Sequence, residues 1–440
     1  MHIELFMALS DMSKNRLPRR LRLIYLRNNP TCQMPLLMTL EMFWFAAILI
    51  GIFAVFLIIF GSRRYSYAIN PLFQFAIFDI GVLTILSAVV TNVLNEGKIV
   101  LAPVLYLSIV YTTGFFLVFL PRRFALPRRL FNSLINLVGS DRGNIKFSWI
   151  RQCILIVTAL GLYLVLMWSS GAELLWITDP RLAYQIYRVG VGYIYVMVQW
   201  NFILSLLYYL WTKKPKLTGL IFSLCIYSLS AYFTGSKSNI LSGLVLVGIY
   251  YNFKINKIPN FLIFIFPFVM LAVFLTLLVL QGSFVDLMAA VSYFRDYTET
   301  TGLFLSRIDE FEPLWGYGLL SDLWFYVPRS LFPQKPFEYG IVLIHQILFP
   351  GAAEAGATPG ILPWTLAYLD FRIVGVFFSG LFTGFIRRGA YESFLSHRRS
   401  IFAFILMIQL SLMPIFAYAT LPLICIMGIL FSLFCYKKIV

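Results

Sequence analysis

MFWFAAILIGIFAVFLIIF, residues 42–60, is a run of nineteen residues with no charged side chain. Wound as an α-helix it reaches about 28 Å, close to the hydrocarbon thickness of a bilayer. Gly61-Ser62-Arg63-Arg64 then closes the run with two cations. The same alternation, a long apolar run followed by a short basic connection, recurs along the chain. Hydrophobic residues make up 60% of the 440 and charged residues only 12%, roughly half the charged fraction of a soluble domain. Mean hydropathy is +0.83. Short segments of alternating polarity, which a membrane β-barrel requires, are absent from the sequence. The fold class is therefore an all-α polytopic integral membrane protein.

About eleven spans are predicted, each near bilayer length. They cover Met42–Phe60, Leu72–Leu94, Ile99–Leu120, Cys153–Trp168, Val189–Trp211, Leu217–Phe233, Ile240–Asn252, Phe261–Leu280, Leu366–Ile386, Ile401–Ala419 and Leu421–Tyr436. The net charge of +16 is explained by Lys and Arg in the short loops, which mark the cytoplasmic side. Nucleic acid is not an expected partner. Arg63, Arg64, Arg122, Arg123, Lys213, Lys214, Lys254, Arg387, Arg388, Lys437 and Lys438 all fall on one side if the spans alternate. Residues 1–41 form a basic leader that disagrees with this alternation, so either the natural start is Met38 or Met42, or an early segment does not span. Cys32, Cys153, Cys225, Cys425 and Cys435 show no paired spacing and mostly sit in apolar runs, as small core residues do.

One stretch breaks the rhythm. Gln281 to Pro363 keeps about eighty mostly polar residues between spans, and such a segment usually builds a site. The chain thus divides into the leader, a bundle of eight spans over 42–280, a loop over 281–363 on the outer face, and a last bundle of three spans over 364–440. Within the loop, Gln281–Glu312 repeats apolar residues such as Leu287, Val291 and Phe294 at helical spacing. An amphipathic helix lying on the membrane is expected there, with Asp296, Glu299 and their neighbours as its solvated face. Tyr326-Val327-Pro328-Arg329-Ser330-Leu331-Phe332-Pro333-Gln334-Lys335-Pro336 follows. Its prolines stiffen the segment, so Arg329 and Lys335 are candidates to hold a diphosphate or a sugar acid.

Other candidates lie on the same predicted face. Asp179-Pro180-Arg181 and Arg188-Val189-Gly190 retain cations where positive charge is normally depleted. Arg181 and Arg188 could pair phosphate oxygens bidentately, or form local ion pairs with Asp179 or Glu173. Thr234-Gly235-Ser236-Lys237-Ser238-Asn239 interrupts two apolar segments. It lacks the upstream glycine and strand of a nucleotide loop. A helix start with free N–H groups and Lys237 would attract an anion; an ordinary hairpin turn is the alternative. His345 and Glu354, the latter in Gly351-Ala352-Ala353-Glu354-Ala355-Gly356, are the candidates to take a proton from a hydroxyl nucleophile. His345 could instead satisfy a loop carbonyl. No His, Cys or carboxylate set has metal-ligand spacing, and neither a metal nor another cofactor is expected. Asp79, Asp370 and Arg372 fall inside or at the ends of spans, where charge is costly and functional by default.

The Gly235-Ser236-Lys237 turn between two mid-chain spans, the long loop with Tyr326–Pro336, and Ala357-Thr358-Pro359-Gly360 together resemble the Wzy-type O-antigen polymerase family. The resemblance covers most of the chain from Met42 in topology, and these short motifs in residues. It implies a bundle similar to GT-C membrane glycosyltransferases without a nucleotide-sugar domain. It also implies a glycosyltransferase that polymerises undecaprenyl-diphosphate-linked repeat units on the outer face of the cytoplasmic membrane, into O-antigen, capsule or exopolysaccharide. Implied partners are that lipid-linked glycan, the surrounding lipids and a chain-length regulator. His345-Gln346 with Gly356 is also similar to the O-antigen ligases, although Ala357-Thr358-Pro359 departs from their pattern. A non-enzymatic flippase for lipid-linked oligosaccharides is the third alternative.

Overall fold

A computed structural model describes residues 40–67, 69–94, 101–121, 125–138, 145, 147–171, 173–187, 192–255, 258–259, 265, 268–269, 271–276, 291, 294–327, 332–336, 338–350, 360–412 and 420–436. Among them there is no strand. Five helices are long and apolar enough to cross a membrane: α1 (Leu40–Arg64), α2 (Pro71–Leu94), α5 (Trp149–Ser170), α8 (Gly192–Lys213) and α14 (Thr365–Ser396). Five shorter apolar helices occupy five more of the predicted spans: α3 (Ala102–Leu117), α9 (Leu217–Phe233), α10 (Lys237–Tyr250), α15 (Ile401–Leu406, continued by π turns over Met407–Leu412) and α16 (Thr420–Tyr436). The eighth predicted span, Phe261–Leu280, lies largely outside the described residues. Between the apolar helices stand α4 (Leu126–Val138), α6 (Glu173–Thr178), α7 (Pro180–Tyr187), α11 (Arg295–Ser306), α12 (Tyr317–Ser321) and α13 (Val342–Leu348).

The core is organised by α14, which packs along α3 and also touches α4 and α15. Small residues allow the approach. A Cβ at Gly380 would lie 2.1 Å from the Tyr111 carbonyl oxygen, and one at Gly114 would lie 2.3 Å from that of Phe377. Close backbone contact of this kind is how helices associate where lipid removes the hydrophobic drive. Gly380→Val should therefore push α14 off α3 and cost about 1–3 kcal/mol, as overpacking does. Gly161→Val on α5, where nothing lies within 4 Å, is the matched control. Equal melting temperatures for the two variants in detergent would show that the α3–α14 seam is not tight.

Two predicted features differ in their setting. Arg387 and Arg388 were expected in a loop after Ile386, but both stay inside α14 and are only 1% exposed. Arg387 Nη2 donates to Asp79 Oδ1 at 3.0 Å. The guanidinium also lies over the Phe75 and Phe115 rings, at 5.5 and 5.8 Å. Arg388 Nε donates to Glu392 at 2.8 Å and its Nη1 to the Val118 carbonyl at 2.5 Å. Asp79 sits in a π-helical stretch of α2, Phe75–Leu86, and such stretches are rare and concentrate at functional sites.

Of the stretch Gln281–Glu312, the structure describes α11, which begins after the Leu287, Val291 and Phe294 repeat; most of residues 281–293 lie outside the described residues. α11 is fastened into the bundle by hydroxyls. Thr298 Oγ1 lies 2.8 Å from Ser87 Oγ and 2.9 Å from Thr91 Oγ1 on α2. Thr301 Oγ1 lies 3.3 Å from Thr365 Oγ1 and accepts from the Leu362 N–H at 3.1 Å. Buried hydroxyls satisfied across helices are short, directional ties, and they fix the start of the long loop over the ends of α2 and α14.

Candidate functional site

The loop segment over residues 311–319 is docked onto a break in α14. Helical dihedrals fail there at Phe371 and at Arg372, which has φ 54° and ψ −143°. The break frees carbonyls, and the loop supplies donors. The Leu314 N–H donates to the Leu369 carbonyl at 3.3 Å and the Trp315 N–H to that of Asp370 at 3.1 Å. The Asp370 carboxyl, wholly buried, accepts from the Gly318 and Leu319 N–H groups, both at 2.8 Å. One carboxyl thereby satisfies two donors at the start of α12, as an acid at a helix N-terminus does. Gly318 must lack a side chain, because a Cβ would stand 2.8 Å from Asp370 Oδ1.

Below this junction runs an apolar groove of about 540 Å³, lined by Leu319, Ala367, Phe371, Val374, Gly375, Phe378, Ser379 and Phe382. Arg372 follows the lining residue Phe371 in sequence and does not itself line the groove. Its Nη2 donates to the Phe311 carbonyl, its guanidinium lies 5.8 Å from the Tyr368 ring centre, and Nη1 is buried without a partner among the described residues.

A second corner joins two of the motifs picked from the sequence. Arg181, on α7, points its Nη1 at the Gly235 carbonyl at 3.4 Å and stacks on Tyr184 at 5.3 Å. Gly235, with φ 67°, packs so closely that a Cβ would lie 2.1 Å from the Pro180 carbonyl oxygen. Tyrosines hold the turn: Tyr195 donates to the Thr234 carbonyl at 3.1 Å, Tyr227 to that of Asn239 at 2.9 Å, and Tyr163 to that of Phe233 at 3.1 Å. The turn opens the 14-residue α10 at Lys237, where the Asn239 N–H donates to the Ser236 carbonyl at 3.2 Å.

The remaining candidates distribute as follows. Lys335 closes a turn through its N–H to the Phe332 carbonyl at 3.0 Å, and its ammonium lies 4.6 Å from the Tyr339 ring centre. Phe332 in turn stacks on Trp324 at 5.5 Å, which ties the segment to the residues just after α12. His345 lies on α13, which is linked to α11 by Arg307 Nη1 donating to the Ile347 carbonyl at 3.4 Å. Lys237 and His345 are placed by backbone only, while Arg188, Arg329 and Glu354 lie outside the described residues. Arg181 and the Gly235–Lys237 turn are thus brought together; Lys335 and His345 belong to the docked loop.

Two groups were undervalued in the sequence. Arg372 was marked as a charge at a span end, while its backbone conformation (φ 54°) has no signature in residue type. Asp296 was assigned to a solvated face. It is exposed, but Gly360 packs on it, with a Cβ there 3.0 Å from Asp296 Cβ. Partial burial pushes its carboxyl above the ordinary range, Arg295 pulls it down and Glu299 adds to the rise. Among the described residues no three His, Cys, Asp or Glu side chains gather as a metal would need.

With this geometry in view, relatives become informative. Two curated proteins named O-antigen polymerase, from Salmonella typhimurium and Salmonella typhi, are each 26% identical to the chain over 224 residues, covering 48% of it and 53% of their own length. The chain is similar to O-antigen polymerases. That likeness bears out the resemblance carried by its short motifs. The chain spans about half the length of the curated relatives it matches. No family model and no solved structure matches it.

Proposed function

We propose that this protein is a glycosyltransferase that polymerises undecaprenyl-diphosphate-linked repeat units on the outer face of the cytoplasmic membrane, into O-antigen or a related polysaccharide, within a GT-C-like bundle of about eleven spans. One observation carries the reading: a polar loop is fastened by its backbone to the end of an apolar helix bundle, in a chain similar to proteins of that name.

The acceptor sugar's hydroxyl oxygen attacks the anomeric carbon of the growing chain. The bond from that carbon to the diphosphate oxygen breaks, and the diphosphate leaves with the electron pair. The hydroxyl proton passes to Glu354 or His345. The leaving group gains negative charge as the bond stretches, so fixed cations lower the barrier more than they favour the bound substrate. Arg181, Arg188, Lys237, Arg329 and Lys335 fill that role. Two of these motifs, at Arg181 and at Gly235–Lys237, already share one corner. A chain-length regulator acts on the same reaction from outside this chain.

The test mixes purified protein with a lipid-linked repeat unit. Chain growth without nucleotide is the expected result. Transfer only to lipid A core would make the protein a ligase, and movement across liposomes with no new glycosidic bond would make it a flippase. Arg188→Ala and Arg329→Ala should each slow growth about a hundredfold or more, the scale of losing one transition-state donor. Wild-type rate and chain length in both variants would remove the diphosphate assignment.

A further inference from the structure

We infer that Lys214, Lys254 and Arg398 form a binding site for the phosphate of an anionic phospholipid, at the end of α14 away from the docked loop. The site takes no part in the proposed reaction and does not rest on it. It lies on the face that the basic connections assign to the cytoplasm. Charge, backbone and an aromatic frame each point to it.

The cations come from the ends of three helices. Lys214 follows α8, Lys254 lies in the π turns Tyr251–Ile255 that continue α10, and Arg398 follows α14. The Lys254 ammonium donates to the Arg398 carbonyl, and the charges acting on it are those of Lys214 and Arg398, both positive. Glu392, the acid that precedes Arg398 on α14, is held by Arg388 at 2.8 Å and Arg64 at 3.8 Å. Like charges gathered in this way repel, and an anion set among them turns the repulsion into attraction. Phosphate oxygens accept from ammonium and guanidinium groups alike.

The backbone adds an independent sign. Lys214 has φ 48°, and its N–H donates to the Leu210 carbonyl at 3.2 Å. This is the left-handed cap that glycine usually fills at the end of a helix. The cation favoured at a helix C-terminus is already supplied by Lys213, in the last turn of α8, so the macrodipole does not call for a second one. A lysine kept at the cap at a conformational cost indicates a use for its ammonium.

Aromatic rings frame two of the cations. Lys254 Nζ lies 3.8 Å from the Trp211 ring centre. The Arg398 guanidinium lies 5.3 Å from that of Tyr67 and donates to its hydroxyl at 3.0 Å. Each ring holds its cation from one side. An ammonium has three donors and a guanidinium five, so both keep donors for a ligand. Trp and Tyr at the ends of apolar helices stand at headgroup depth. Cations gathered between helix ends at that depth suit a lipid phosphate, whose tails continue along the apolar helices. A free phosphate meets the same cations without the gain from its tails.

The experiment measures retention of cardiolipin by the full chain in detergent, by native mass spectrometry, with phosphatidylethanolamine and inorganic phosphate as competitors. Chain growth enters none of the readings. The wild type should keep cardiolipin against an excess of either competitor. Lys254→Met leaves an apolar stem on Trp211, and Lys214→Gly suits φ 48°, so melting should change little in both. Each should weaken retention about fivefold, the scale of one cation beside an anionic headgroup. Lys216→Gln, an exposed cation of the same connection, is the control and should retain cardiolipin as the wild type does. An equal loss in the control would show diffuse attraction to a basic face and overturn the site. So would unchanged retention in either variant, equal affinity for phosphatidylethanolamine, or ready displacement by inorganic phosphate.

Discussion

Asp370→Ala is expected to release the docked loop. The carboxyl accepts from Gly318 and Leu319 at 2.8 Å each, in a setting where Asp370 has no exposed surface. Hydrogen bonds to a charged acceptor contribute about 1.5–3 kcal/mol each, and losing the acceptor strands both donors. Against this stands the relief of removing a buried acid, which is itself unfavourable in an apolar setting. The net cost should be about 2–4 kcal/mol. Asp370→Asn is the sharper variant. Its amide offers one acceptor oxygen, while its NH₂ faces a second N–H donor, so it should recover less than half of the loss. Thermal melting in detergent measures stability, and limited proteolysis across residues 311–319 reports undocking. Chain growth should fall with both variants, because the loop bearing Lys335 and His345 loses its fixed position. A protease-resistant loop and an unshifted melt in Asp370→Ala would mean the junction is held by other contacts.

What could be read in advance follows from how each feature is encoded. The apolar runs state helix position directly: Leu217–Phe233 coincides in sequence and structure, and Met42–Phe60 lies within α1. Gly235 announced its turn because a φ of 67° is cheap only for glycine. The Arg181–Gly235 contact spans 54 positions and involves a backbone carbonyl, which no residue type advertises. Asp370 was conspicuous as an acid in an apolar run, but its partners are backbone N–H groups of an unremarkable tetrapeptide. The periodic residues Leu287, Val291 and Phe294 precede α11, and the attachment of α11 depends on Ser87, Thr91 and Thr365, residues that look like neutral filler in any one helix. Arg387 and Arg388 misled for a physical reason. Two cations at the end of an apolar run mark a membrane boundary on average, whereas Arg387 is buried against the counter-charge of Asp79, 308 positions earlier, and the Phe75 and Phe115 rings.

That counter-charge makes Arg387→Met the other large effect. Asp79 and Arg387 are 4% and 1% exposed, and their contact at 3.0 Å is the one ion pair Arg387 makes among the described residues. Removing one partner of a buried pair leaves an uncompensated charge and typically costs about 3–5 kcal/mol. Replacing both by apolar residues is often neutral, since two desolvation penalties disappear with the attraction. Asp79→Leu with Arg387→Met should therefore melt within about 1 kcal/mol of wild type, although either single variant is severely destabilised. Additive losses in the double variant, measured as a double-mutant cycle in detergent, would show that the two residues do not act as a pair. The same double variant separates structure from mechanism. Asp79 lies in a π-helical stretch, and among the described residues its Oδ2 and the Nε of Arg387 have no hydrogen-bond partner. If the pair only fastens α2 to α14, the restored double variant should extend glycan chains at the wild-type rate. A double variant that folds but does not extend them would place the pair in the working cycle of the bundle, because charge in this setting would then be needed for more than holding two helices together.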